Sequence, residues 1–150
     1  MADIPYQRAN FSTKIRVDRL YTAGHYWLRR EGAALWRVGL TRFAVRMLGE
    51  AVEMGFEVAA GAAVASGQAV GWIEGFKAVS DLYAPMAGTF DGPNAELESD
   101  MALFKKEPYE RGWLFALRGE PDAGCLDPQG YVAVLDATID KMLGQRHDAK

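Results

Sequence analysis

The stretch from Trp72 to Gly88 reads WIEGFKAVSDLYAPMAG. An apolar, strand-like approach (Ala69, Val70, Trp72, Ile73) leads into Glu74-Gly75-Phe76-Lys77. An apolar exit runs through Val79, Leu82 and Tyr83 and is closed by Pro85-Met86-Ala87-Gly88. Two such arms around a glycine-containing turn are the pattern of a β-hairpin. Gly67, within Ala65-Ser66-Gly67-Gln68, lies ten residues before Lys77, and Gly88 lies eleven after it. Turn residues therefore bracket the hairpin on both sides. Glycine there supplies positive φ without strain, and Pro85 presets a turn dihedral. Gly75 is expected to let the tip bend through the same freedom. Lys77 is thus expected at the midpoint of a long hairpin, held out into solvent on a stiff stalk. An ordinary solvated turn lysine is the plain alternative, and the paired spacing argues against it. A free lysine has a pKa of about 10.4 and is protonated at neutral pH. It does not acylate itself, so any acyl group it carries must be delivered in activated form by another enzyme. Schiff-base catalysis is disfavoured, because an exposed tip offers no desolvation to lower the pKa.

Outward from the hairpin, the chain reads as short strands and turns. Trp27-Leu28-Arg29-Arg30, then Glu31-Gly32, then Leu35-Trp36-Arg37-Val38 is a second hairpin signal. Thr41 is the expected N-cap of a short helix ending at Gly49. Further strands separated by turns continue to about Leu117. The tail differs. Asp127-Pro128 is an N-cap followed by proline in the first turn. Tyr131, Val134, Leu135, Thr138, Ile139 and Met142 then recur at helical spacing, with Gly144 as the expected stop. Cys125 falls in the loop before this helix and is read as an inert thiol.

The Lys77 segment resembles the modification hairpin of lipoyl-carrying proteins, and above all that of the H protein of the glycine cleavage system. The pattern of that family is Glu-Ser-x-Lys-Ala-x-x-Asp-x-x-x-Pro-x-x-Gly. Glu74, Lys77, Ala78, Asp81, Pro85 and Gly88 match it in register, with Gly75 in place of the serine. His25-Tyr26-Trp27-Leu28 is similar to the family's His-x-Trp strand. Val38-Gly39-Leu40-Thr41 with Leu48-Gly49 is similar to its strand, short helix and Leu-Gly ending. Asn94-Ala95-Glu96-Leu97 and Pro108-Tyr109…Gly112-Trp113-Leu114 follow in order. Together these segments span about residues 21–117. The departures are about one extra residue between Gly49 and Gly61, Met101 where proline is usual, and Glu110-Arg111 in place of Gly-Glu.

The resemblance implies a mainly β fold: a flattened, lipoyl-domain-like barrel of two sheets (a barrel-sandwich hybrid). It carries one short internal helix and a C-terminal amphipathic helix. Residues 1–20 are expected to be an N-terminal extension, 21–118 the carrier domain, and 119–150 a loop and helix packed on that domain. The resemblance further implies lipoate covalently attached to Lys77, with Glu74, Gly75, Ala78 and Asp81 recognised by the modifying enzyme. It implies no catalytic residues of the chain's own, and a carrier that shuttles an aminomethyl intermediate on lipoyl-lysine. The implied partners are glycine decarboxylase, aminomethyltransferase and dihydrolipoyl dehydrogenase. A lipoate ligase, or an octanoyltransferase with lipoyl synthase, would load the arm. The family's loaded arm folds back into a cleft, and His25 and the early strands are where the resemblance directs attention. A packed strand histidine is the plainer reading of His25. Two alternatives stay open: an H-like lipoyl carrier for another oxidative or regulatory system, and an unmodified binding or scaffold module. Biotin is disfavoured, because Phe76 and Ala78 stand where a biotin carrier has methionines.

Composition narrows the classes further. The 150 residues suit one domain with a real core. A single cysteine allows no intrachain disulfide or dithiol chemistry, so any redox sulfur must come from an added group. Two histidines far from that cysteine in sequence make a metal site unexpected. No stretch resembles a targeting segment or a membrane span, and a cytoplasmic protein, monomeric when free, is expected. The net charge of −3 hides an asymmetry. Residues 1–50 hold nine Lys/Arg against four Asp/Glu, and residues 51–110 hold three against ten. The segment bearing Lys77 is thus acidic in sequence, and it is expected either to steer the carrier onto basic docking surfaces or simply to be solvated. No basic patch interleaves with aromatics, so nucleic-acid binding is not expected.

Overall fold

The computed structural model describes residues 2–148. Two sheets face each other as a sandwich around the main core. The larger is six-stranded, in the order β3 (Leu20–Tyr21), β4 (Tyr26–Arg30), β5 (Leu35–Leu40), β11 (Phe115–Arg118), β10 (Gly88–Pro93), β7 (Ala63–Val64). The smaller orders β6 (Ala51–Phe56), β8 (Ala69–Gly75) and β9 (Val79–Tyr83). Val38, Val70, Ile73, Leu82, Phe90 and Phe115 fill the space between them, each at most 1% exposed. The expected two-sheet, mainly β architecture is present, as a sandwich whose layers do not close into a barrel.

The helix between the sheets is α1 (Arg42–Leu48), flanked by Thr41 and Gly49 as the sequence indicated. Thr41 adopts the extended N-cap backbone, yet its hydroxyl makes no capping bond. It is fully buried and turns instead toward Tyr131. Two further short helices, α2 (Ala95–Ser99) and α3 (Leu103–Lys106), lie in the segment between β10 and β11, where one internal helix was expected in all. Asn94 explains α2. Its side-chain oxygen accepts from the Glu96 N–H, while its amide nitrogen donates to the carbonyls of Arg111 and Trp113, both at 2.8 Å. A residue that satisfies a helix start and a returning loop together nucleates structure that periodicity alone does not announce.

The two ends of the chain meet on the outer side of α1. Strands β1 (Ile4–Arg8) and β2 (Phe11–Ile15) form an antiparallel hairpin. Helix α4 (Pro128–Asp148) packs along it, continuing past Gly144, where its end was expected. Glycine weakens a helix by about 1 kcal/mol, and the flanking residues continue the helix through it. Tyr131, Leu135 and Ile139 of α4 join Tyr6, Phe11, Ile15, Tyr21 and Phe43 in a second core. Val134 and Thr138 are half-buried, and Met142 is exposed. Tyr6 donates to Asp136 at 2.9 Å, and Arg8 grips Asp140 through two bonds of 2.8 and 2.9 Å. Residues 1–20, expected to be an N-terminal extension, form this hairpin and knit to the C-terminal helix.

Candidate functional site

The Lys77 hairpin joins β8 to β9, with Ile73↔Ser80 and Glu74↔Val79 in register. Its tip is Phe76-Lys77, closed by a 2.8 Å bond from the Gly75 N–H to the Ala78 carbonyl. Neither tip residue has positive φ. The backbone is held by docking instead: the Phe76 N–H donates to the Glu50 carbonyl at 3.0 Å, and the Lys77 N–H to the Leu48 carbonyl at 2.9 Å. The tip therefore leans on the end of α1, which corrects the expectation of a stalk standing clear in solvent. The Lys77 side chain is exposed, and its ammonium donates to the Arg46 carbonyl at 3.1 Å. No carboxylate pairs with it among the described residues.

Gly75 is corrected in kind. It was expected to supply positive φ, but it does not adopt that region. It is buried in β8, and a Cβ there would lie 2.1 Å from the Leu48 carbonyl oxygen. The residue must be glycine so that α1 and the hairpin touch. The bracketing glycines split the same way: Gly67 has φ of +82°, whereas a Cβ on Gly88 would meet the Arg118 carbonyl at 2.2 Å.

The other residues named from the sequence separate in space. Glu74 is half-buried beside Glu53 of β6, and Ala78 is exposed. Asp81, also exposed, lines a cleft of about 310 Å³ on one side of α1 together with Gly24, His25, Tyr26, Met47, Ser80 and Leu82. On the other side Lys77 itself lines a hollow of about 330 Å³ with Phe11, Arg42, Arg46, Glu50, Phe76 and Lys105. Lys77 and Asp81 thus open onto different faces.

His25 has φ of +71°, a conformation that a non-glycine residue adopts at a cost. Its Nδ1 lies 2.9 Å from the Tyr131 hydroxyl, which lies 2.6 Å from the Thr41 hydroxyl. Thr41 and Tyr131 are both fully buried, and the Thr41 hydroxyl has no other partner among the described residues. One proton arrangement satisfies every buried group: Thr41 donates to Tyr131, and Tyr131 donates to Nδ1 of His25. The proton of the neutral imidazole then sits on Nε2. Burial lowers the His25 pKa, which favours that neutral form. Tyr26 braces the same cleft from below. Its hydroxyl accepts from the Tyr83 N–H at 2.9 Å, and burial pushes its pKa up to about 12. Tyr131, near the far end of the chain, and Met47 were not singled out as site residues. Tyr131 was legible only as one apolar position of a helix, because its polar partners are 90 and 106 residues away.

Cys125 is half-buried against the core, and burial raises its pKa, which keeps the thiol protonated and unreactive. Among the described residues no group of three or more His, Cys, Asp or Glu could hold a metal ion. No described helix is long and apolar enough to cross a membrane.

Residues 19–125 match the family model described as glycine cleavage H-protein. The chain belongs to the glycine cleavage H-protein family. It is 40% identical to the glycine cleavage system H protein of Mycolicibacterium smegmatis over 129 residues, covering 82% of this chain and 98% of that one. The H protein of Micrococcus luteus is 42% identical over 122 residues, covering 75% and 91%. The crystal structure of the H protein from Mycobacterium marinum superposes with a TM-score of 0.70 at 33% identity, covering 79% of this chain and 97% of that one. Members of the family are lipoyl-carrier components of a multienzyme system, and this chain is such a component rather than a catalyst.

The residues present fit a lipoyl group. Lys77 offers an exposed amine without a carboxylate partner among the described residues, its backbone is fixed at two points, and open hollows lie on both sides of α1.

Proposed function

We propose that Lys77 is the residue acylated with lipoate and that the protein is the mobile carrier of a glycine cleavage system. The observation that carries this reading is the tip itself. Backbone bonds to Leu48 and Glu50 hold the main chain still, while among the described residues the exposed amine has only the Arg46 carbonyl for company. In the acylation an amide forms between Nζ and the acyl carbon, the activating group leaves, and one proton is released. When bound, lipoate supplies a dithiolane on a long flexible arm, a redox-active handle that no protein side chain here provides.

The chain's own residues have three tasks. The hairpin presents Nζ to a ligase or octanoyltransferase, with Glu74, Gly75, Ala78 and Asp81 setting the local shape. Gly75 does so by admitting the Leu48 carbonyl, and Asp81 by its place on the cleft. The cleft lined by Leu40, Phe43, Met47 and Leu82 excludes water from an arm that rests there. Within it, Asp81 offers a negative charge suited to an amine, and His25 a neutral N–H suited to an acceptor atom. The carrier serves glycine decarboxylase, aminomethyltransferase and dihydrolipoyl dehydrogenase in the cytoplasm, and tethering raises the local concentration of the carried group at each.

Two measurements test this reading. Intact mass after expression with the loading enzymes should show one added lipoyl group, absent in Lys77→Arg, and modification persisting in that variant would overturn the site. The lipoylated protein should then support glycine-dependent carbon dioxide exchange by the decarboxylase of the same organism. Full lipoylation without exchange would instead assign the carrier to another lipoate-dependent system.

A further inference from the structure

Five cationic side chains gather on the Lys77 side of α1. Arg42 and Arg46 come from α1 itself, Lys105 and Lys106 from α3, and Lys77 from the hairpin tip. They line two adjoining hollows of about 330 and 520 Å³, which share Arg42, Glu50 and Lys105. Among the described residues Glu50 is the single acidic residue in either lining, and it pairs with Lys105 at 3.3 Å. Arg42 and Arg46 have no carboxylate partner among the described residues. Their guanidinium groups donate to the backbone carbonyls of Lys105 at 2.7 Å and Asn10 at 3.0 Å, which position them without neutralising them. The acidic stretch of sequence around Lys77 is therefore answered in space by a basic trough.

We infer that this trough docks an acidic, carboxylate-bearing segment of the enzyme that acylates Lys77, and that it does so while the lysine is still free. The inference rests on Lys77 being the acylated residue. Three observations point to that occupant. The unmodified amine lies in the trough, on the Arg46 carbonyl, so an enzyme that reaches Nζ must cover the surrounding cations. Cations sharing one hollow with little compensation attract an anionic partner and speed its encounter, and a positioned guanidinium matches a carboxylate in two parallel bonds. Phe76, 75% exposed on the rim beside Lys77, supplies the aromatic anchor that such a contact would bury. Acylation then removes one of the five charges. The trough binds the substrate form more tightly than the product form, which favours release of the finished carrier.

The test is the steady-state rate of lipoyl transfer to the whole protein by the lipoate ligase or octanoyltransferase of the same organism. It compares wild type with the double variant Arg46→Glu, Lys106→Glu at low and high salt. The variant keeps the Arg46 backbone carbonyl, and its melting temperature and circular dichroism establish that it is folded. We expect kcat/KM at low salt to fall about tenfold or more through KM, with a flatter salt dependence. The control Glu53→Lys, on β6, should leave the rate within about twofold of wild type. A second arm titrates hexaglutamate into isotope-labelled protein and follows the amide signals of Arg42, Arg46, Lys105 and Lys106. These should shift, and shift less once Lys77 is lipoylated. A folded double variant modified at the wild-type rate and salt slope, or hexaglutamate that leaves these amides unmoved, overturns the docking proposal. If intact mass shows wild type modified elsewhere than Lys77, the site reading falls instead, and the peptide arm still judges the trough.

Discussion

The two hollows beside α1 are built by different means. The trough on the Lys77 side is made of long, exposed cationic side chains from α1, α3 and the hairpin tip, and its polar contacts are with backbone carbonyls apart from the exposed pair of Lys105 with Glu50. The cleft on the Asp81 side has a buried frame, in which His25 is fixed by Tyr131 and Thr41, and Tyr26 by the Tyr83 N–H. Surface cations act over distance and contribute little to folding, whereas buried hydroxyls are costly to leave unpaired. The trough is therefore free to change with the partner that docks on it. The cleft is coupled to the fold, and through α4 to the far end of the chain.

The sharpest way to break the contrast is to disturb the feature common to both sides, the contact of α1 with the hairpin. Gly75→Val puts a side chain against the Leu48 carbonyl, and overpacking of this kind costs roughly 1–3 kcal/mol. A drop in melting temperature of about 2–4 °C per kcal/mol should accompany slower lipoylation, since the tip carrying Lys77 must shift. An unchanged melting temperature would mean that the tip does not lean on α1.

Next in size is Tyr131→Phe, which should act on the cleft alone. It strands the buried Thr41 hydroxyl and Nδ1 of His25, at a cost of roughly 1–3 kcal/mol. Nitrogen NMR of wild type should place the His25 proton on Nε2, with the two tautomers mixing in the variant. A proton on Nδ1 in wild type would refute the relay as drawn.

The cleft should also respond to pH. Burial lowers the folded-state pKa of His25 below its unfolded value of about 6.5. Between those two values the unfolded chain binds the extra proton, so stability is full above about pH 6.5 and declines as pH falls through that window. His25→Asn, a residue that tolerates positive φ, should show a smaller loss of melting temperature between pH 7.5 and 5.5 than wild type. Equal losses would show that His25 is not the group responsible.

The smallest effect belongs to the trough. Glu50 and Lys105 are both more than half exposed, so breaking their pair with Glu50→Gln should change stability by less than about 1 kcal/mol. The same variant removes the lone acidic group of the trough and should raise the low-salt rate of lipoylation. A large stability loss would erase the distinction between the two sides.

What the sequence determined by itself is local or motif-borne. The alternation around EGFKAVSD makes the hairpin, Thr41 and Gly49 bound α1, and Asp127-Pro128 opens α4, because turns and caps are written in neighbouring residues. The ordered segments from His25 to Leu114 led to the H-protein family through the same local text. What tertiary structure decided is whatever joins distant residues. Gly75 and Gly88 read as turn glycines, yet the need for them comes from carbonyls on other strands and loops. The residues around Lys77 read as acidic, yet α1 and α3 surround it with cations, since charge acts by distance in space. Tyr131 read as one apolar position of a helix, and only the packing of α4 against β3 and β1 gives its hydroxyl a threonine and a histidine to join. Hydrogen-bond periodicity is short-ranged along the chain, whereas burial and electrostatics are set by which segments the fold brings together.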